Sequence, residues 1–297
     1  MNKGIILAFL TAFQWGALGI FIKNIENMTT AGMVATRLLI GSFFLLLIIM
    51  SQKKTRKNLL KSFKSIKFYI LISLLMSTHF MFSTMGFVYS TVANASLLTS
   101  TTPIFVSLFA FIFLSERISN KEFLGIVIAF SGILVIFSSK GLSLEGEYFQ
   151  GNIYAVIAAI LIAVYTIIIS KNMKKHSPLI TLFWISFMGS ILIFIGCGLT
   201  NTPLLFKVTN NDILNLIGLT IVGTLGHVCY FMCLKYIKTT TASSITMGTP
   251  VVAIIYAMFF LSETYTASNL IGIFICMCGI ALTVNNKAVV ERKAVIN

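Results

Sequence analysis

Residues 89–133 read YSTVANASLLTSTTPIFVSLFAFIFLSERISNKEFLGIVIAFSGI, and residues 236–280 read YIKTTTASSITMGTPVVAIIYAMFFLSETYTASNLIGIFICMCGI. The offset is 147 throughout without a gap, and 16 of the 45 positions are identical. Among them are Ala95/Ala242, Ser96/Ser243, Thr99/Thr246, Thr102/Thr249, Pro103/Pro250, Leu114-Ser115-Glu116/Leu261-Ser262-Glu263, Gly125/Gly272 and Gly132/Gly279. Apolar helices resemble one another by chance, but a shared polar, proline and glutamate skeleton at constant spacing marks an internal duplication. Self-similarity at a fixed period decides the architecture before any other reading.

The rest of the chain is as apolar as this stretch. Of its 297 residues, 57% are hydrophobic and 10% charged, with a mean hydropathy of +0.96. A soluble domain carries roughly 25% charged residues, so this is a membrane protein. A net charge of +14 would suggest nucleic acid as a partner of a soluble protein; here the charge follows the loops, and no nucleic acid is expected. Cys197, Cys229, Cys233, Cys276 and Cys278 lie within apolar runs of the second half, where Cys acts as a small hydrophobe. His227 stands near Cys229 and Cys233, but no carboxylate or further His completes a metal site. No cleavable signal peptide is expected, because the first apolar run leads into the duplicated unit and lacks a small-residue cleavage site.

A spanning helix needs about 20 mainly apolar residues. Ten segments meet this: 4–22, 31–50, 66–87, 92–114, 121–138, 151–170, 178–199, 212–234, 241–261 and 266–284. Residues 51–65 read as the one long loop. Of the 22 Lys and Arg residues, 18 fall on one side: Lys3, the run from Lys53 to Lys67, Arg117, Lys121, Lys171, Lys174, Lys175, Lys235, Lys238, Lys287, Arg292 and Lys293. Lys23, Lys140 and Lys207 fall on the other, and Arg37 lies within a helix. By the positive-inside rule both termini are expected in the cytoplasm. Five helices per repeat is odd, so the second copy enters the membrane from the opposite face. The expectation is an all-α membrane protein with two inverted five-helix repeats, residues 1–140 and 148–286. Inverted repeats are typical of secondary transporters, which bind substrate near the midplane between the halves.

Proline in helix 4, Ser-Glu at its end and Gly-x6-Gly in helix 5 occur in both copies, as Pro103, Ser115-Glu116, Gly125 and Gly132, then Pro250, Ser262-Glu263, Gly272 and Gly279. Together they resemble the EamA repeat of the drug/metabolite transporter superfamily. Trp15-Gly16 in helix 1 and Arg37 in the first third of helix 2 match its first-repeat pattern. The second copy departs from it, with Ile162 where Trp15 would map and Trp184 where Arg37 would. The resemblance covers residues 4–284 and implies a ten-helix exporter of amino acids or other metabolites. Its motifs are structural and name no substrate.

Charges within the bilayer are costly and usually functional. All eight acidic residues fall in loops or at helix ends. This argues against a buried acid exchanging protons for lipophilic cations, and for a neutral, zwitterionic or anionic substrate. Arg37 lies about 9 Å from the outer end of helix 2 at ~1.5 Å per residue. It either snorkels to the interface or faces a central cavity and pairs bidentately with a substrate carboxylate or phosphate. His79 and His227 occupy nearly mirrored positions, and each is either bonded within the bundle or a protonatable group on the path. Asn94, Ser96, Thr99 and Thr102 precede Pro103, and Ser243, Thr246 and Thr249 precede Pro250. These polar faces line a cavity at a proline kink, or bond across helices for about 0.6 kcal/mol each. Phe13, Trp15, Tyr165, Trp184 and Tyr230 are candidate walls with Gln14 as a polar contact, although Trp and Tyr also gather at interfaces. Gly125, Gly132, Gly272 and Gly279 read as packing positions.

An intramembrane enzyme would need a nucleophile with its base, or a metal pair, on facing helices. The chain has no HExxH, no GxSxG and no buried acid to orient either histidine. No enzymatic activity, cofactor or metal is expected. The reading is a transporter exporting a small polar metabolite across the cytoplasmic membrane by alternating access. The alternatives are a sensor or lipid-handling protein without solute flux, and broad-specificity drug efflux. The partners are a small-molecule substrate and the lipid bilayer, with a homodimer left open.

Overall fold

In lipid an isolated segment can satisfy its own backbone N–H and C=O groups only as a helix, and every regular element described here is helical. The computed structural model describes residues 3–90, 92–138, 146–173, 175–204, 208–260 and 267–284. Leu261, Ser262 and Glu263 of the repeated skeleton lie outside the described residues, as do Glu145, Glu291, Lys140, Lys174, Lys207, Lys287, Arg292 and Lys293.

The first half contains α1 (Lys3–Gly16), α2 (Leu18–Lys23), α3 (Thr30–Ser51), α4 (Lys53–Ser62), α5 (Ile66–Val88), α6 (Val92–Thr99), α7 (Thr102–Leu114) and α8 (Asn120–Ser138). The second contains α9 (Phe149–Asn172), α10 (Pro178–Leu199), α11 (Asn210–Cys233), α12 (Thr239–Thr246), α13 (Thr249–Phe260) and α14 (Ala267–Val284). Among the described residues seven stretches are long and apolar enough to cross a membrane. The other three spans are α8, α12–α13 and α14. Exposed Phe9, Leu10, Phe43, Phe44, Leu47, Leu74 and Phe111 form an apolar perimeter, which suits lipid and would be a liability in water.

Helix ends follow local chemistry. Thr29 caps α3 by accepting from Gly32 N at 3.0 Å. Thr209 and Asp212 form a reciprocal capping box at α11, which satisfies donors that would otherwise be orphaned. Pro103 stands in the first turn of α7, where its missing N–H costs nothing. The expected fourth span is therefore two helices parted at Ser100–Thr101, and the ninth is parted at Met247–Gly248. Residues 51–65, expected as a loop, instead carry α4. Lys, Arg and Leu are good helix formers, and α4 seats Leu59 and Ser62 against the bundle.

The two halves pack by one rule applied twice. Gly4 of α1 rests on Tyr236 and Ile237, while Gly151 of α9 rests on Tyr89 and Ser90, each position displaced by 147. In α8 and α14, Gly132 meets Cys276 and Gly272, and Gly279 meets Ala129 and Gly125. Gly125 lies beside Thr283, so ascending α8 is matched to descending α14 and the pair is antiparallel. Two equivalent helices that run antiparallel across a two-fold axis require that axis to be perpendicular to them. The repeats are thus inverted about an axis in the membrane plane.

Candidate functional site

A hollow of about 110 Å³ lies between the halves, where the breaks in α6–α7 and α12–α13 approach α1, α3, α5, α9 and α11. Thr99, Ser100, Thr102 and Pro103 come to it from one break, and Thr246, Met247 and Thr249 from the other. Breaks in spanning helices are tolerated where they border such a cavity.

Arg37 lines the hollow and is 8% exposed. Its guanidinium carbon sits 4.5 Å from the centroid of the Phe80 ring, a cation–π contact that offsets part of the cost of burial. Among the described residues no acidic side chain lines the hollow. Within that described lining the cation has no counter-charge.

Two histidines stand nearby, each tied to a main-chain carbonyl. His79 Nδ1 is 3.0 Å from Ala158 O, and His227 Nδ1 is 2.8 Å from Gly223 O. A carbonyl only accepts, so Nδ1 carries the hydrogen in both, and in the neutral ring Nε2 is left as an acceptor. Tyr165 hydroxyl lies 3.5 Å from His227 Nε2. Aromatic rings complete this wall: Trp15 is 4.9 Å from His227 and 5.1 Å from Tyr230, and Phe80 is 5.0 Å from His227. Trp15 reaches this place because residue 226 is glycine; a Cβ there would stand 2.6 Å from the indole nitrogen. That nitrogen is buried without an acceptor, and so is Gln14 Oε1 without a donor.

The hydroxyls of the broken helices turn their hydrogens inward. Thr99 donates to Ala95 O at 2.8 Å, Ser100 to Ser96 O at 2.7 Å, Thr102 to Thr99 O at 2.6 Å and Thr246 to Ser243 O at 2.7 Å. Their oxygens retain lone pairs toward the cavity. The hollow thus offers donors, from Arg37 and Trp15, and acceptors, from these hydroxyls and the histidine Nε2 atoms.

Of the residues expected at the site, Trp15, Arg37, His79, Ser96, Thr99, Pro103, His227 and Thr246 line the hollow. Tyr165 and Tyr230 are fully buried behind it, with Tyr230 hydroxyl 3.4 Å from Thr166. Gln14 adjoins Trp15 without lining it. Asn94 is buried outside it, Ser243 donates to Thr240 O at 2.9 Å, and Pro250 follows Thr249. Trp184 lies elsewhere, its indole donating to Ser62 at 2.8 Å. Ser83, Phe80, Ile162 and Ser100 also line the hollow and were not expected. Ser83 follows His79 by one helical turn, a spacing that could have found it; one Phe among 26 carries no such signal.

A smaller hollow of about 20 Å³ lies behind Arg37, Phe80 and His227, bounded by Ser186, Thr220 and Thr224. Hydrogen bonds join the two halves at the bundle end rich in Lys and Arg. There Glu116 accepts from Thr239 N and Oγ1 at 3.3 and 3.1 Å and from Thr240 N and Oγ1 at 3.3 and 3.4 Å. Ser170 and Thr239 hydroxyls meet at 2.6 Å. Ser115, with a left-handed φ of 54°, ends α7 and directs Glu116 to the start of α12. Ile22 and Phe87 carry the hollow toward the opposite end.

The sequence profile of the EamA-like transporter family matches residues 2–138 and again residues 149–285. An uncharacterized transporter of Clostridium kluyveri is 26% identical over 100% of this chain and 98% of its own length. The transporter YoaV of Bacillus subtilis is 28% identical over 93% of this chain and 94% of its own. A crystal structure 14% identical in sequence superposes on 96% of this chain and 99% of that one with a TM-score of 0.77, a likeness of fold.

Proposed function

From membership of the EamA-like transporter family, to which this chain belongs, we propose that it exports a small polar metabolite bearing a carboxylate or phosphate, such as an amino acid or related solute, by alternating access. The observation that carries this reading is Arg37, a buried cation that lines the hollow, where no acidic side chain among the described residues joins it. An uncompensated charge in a low-dielectric site is expensive, and a bidentate carboxylate or phosphate relieves that cost with directional bonds. The hydroxyl oxygens that line the same hollow supply acceptors for an ammonium or hydroxyl on the same solute.

The halves 1–140 and 148–286 are the units that rock against one another. With the Lys- and Arg-rich end in the cytoplasm, the hollow faces outward and Glu116 closes the inner end. Near-equivalent halves give inward- and outward-open forms similar energies. The orientation rests on loop charge; the export direction rests on family resemblance alone, since loop charge does not fix the direction of flux.

The test is thermal-shift screening of the purified protein against amino acids, nucleosides and polyamines, followed by counterflow in proteoliposomes. A ligand that binds only the folded state raises its melting temperature. Carboxylate-bearing solutes should raise it and polyamines should not. Arg37→Gln should weaken the responsive solute by about 10- to 100-fold, as expected for a charge-assisted hydrogen bond worth ~1.5–3 kcal/mol. Wild-type counterflow in a folded Arg37→Gln protein would exclude Arg37 from the site.

A further inference from the structure

Helix α4 has no counterpart among the described residues 147 positions further on. Under the 147 offset, residues 52–65 correspond to residues 199–212. The first stretch holds Lys53, Lys54, Arg56, Lys57, Lys61 and Lys64 with no acid, whereas the second holds only Lys207 and Asp212. Setting topology requires positive charge in a loop and nothing more. This stretch has instead become an amphipathic helix.

Thr55, Leu59 and Ser62 turn one face to the bundle, with Leu59 and Ser62 at 7% and 8% exposure. Leu60 and Phe63 project from the adjoining face at 68% and 55% exposure. Beside them run Lys53, Lys57 and Lys61, each one helical turn from the next, so that like charges face like charges. A stripe of cations flanked by exposed apolar side chains matches a surface that is anionic at its rim and hydrocarbon beneath.

We propose that α4 is a docking site for the headgroups of anionic phospholipids. The lysines meet the phosphates, while Leu60 and Phe63 enter the acyl boundary; a free phosphate would leave those two side chains in water. The site is wired to the bundle. Ser62 accepts from the Trp184 indole at 2.8 Å, and the Phe63 ring stands edge-on to Trp184 at 5.0 Å. Trp184 belongs to α10, which packs on α3 between the two halves. Seating α4 on lipid therefore bears directly on the junction of the repeats.

Trp184 is one of only two tryptophans, so it can report the event. In a full-length Trp15→Phe background, the purified protein in neutral detergent is titrated with short-chain phosphatidylglycerol, phosphatidylcholine or inorganic phosphate. Phosphatidylglycerol should shift Trp184 emission with an affinity that falls as salt rises; the other two should not. A Lys53→Gln/Lys57→Gln/Lys61→Gln protein should lose at least tenfold in affinity. The corresponding triple Arg protein should retain it, and Leu60→Asn/Phe63→Asn should weaken it without altering charge. An equal response to phosphatidylcholine, a response to inorganic phosphate alone, or wild-type affinity in the triple Gln protein would overturn the proposal.

Discussion

His176 shows how much one side chain outside the spans can hold. Its ring stacks on Phe68 at 4.6 Å, and its Nδ1 meets Tyr69 hydroxyl at 2.8 Å. Burial, with Lys175 beside it, lowers its pKa from the usual 6.5. A depressed histidine stays neutral when folded, so the unfolded chain binds the extra proton. The contribution is then complete above the unfolded value and declines as pH falls below it. The melting-temperature difference between wild type and His176→Gln should be constant from pH 7 to 8 and shrink below about pH 6, given an unperturbed value of ~6.5. A difference that grows on acidification would refute this. Gly226, against Trp15, is the companion case: Gly226→Ala should displace Trp15 and weaken solute binding while Gly196→Ala, with open space around it, should not. The two outcomes separate in the same thermal-shift assay.

At the scale of elements, α8 and α14 touch backbone to backbone. A Cβ at Gly132 would stand 2.6 Å from Gly272 O, and one at Gly279 the same distance from Gly125 O. Neither contact can be relieved by rotating a side chain. Gly132→Val or Gly279→Val should destabilise the protein by at least about 1–3 kcal/mol, the range for overpacking a tight interface. Melting temperature would read the loss, with Gly196→Ala as a neutral control. The four glycines were legible from their spacing. The identity of the neighbour was not, because spacing along one helix says nothing of which helix lies across from it.

For the whole molecule, the hydrogen bonds at the Lys- and Arg-rich end are what alternating access, as proposed, would have to break. Ser170 of α9 and Thr239 of α12 meet there at 2.6 Å. With Cys197, Cys229, Cys233, Cys276 and Cys278 replaced, oxidation of a Ser170→Cys/Thr239→Cys protein should abolish counterflow, and reduction should restore it. Full activity in the cross-linked protein would mean that this end need not open. The inverted packing makes the expectation specific. Equivalent contacts recur 147 residues apart, as at Gly4 on Tyr236 and Gly151 on Tyr89, so a change at one end has a counterpart at the other.

The spans, their duplication and their inversion were written in the sequence, because lipid forces apolar segments into helices and an odd number of crossings reverses the next copy. So were the residues whose chemistry is rare in a membrane: Arg37, His79, His227 and the hydroxyl clusters before each proline. Only the tertiary structure decided which of them meet. It placed Trp184 against Ser62 rather than at the hollow, brought Phe80 over Arg37, turned the hydroxyl hydrogens of α6–α7 and α12–α13 onto their own carbonyls, and made a helix of residues 53–62. A side chain's direction depends on the helices packed around it, and that information is distributed over segments far apart in the chain.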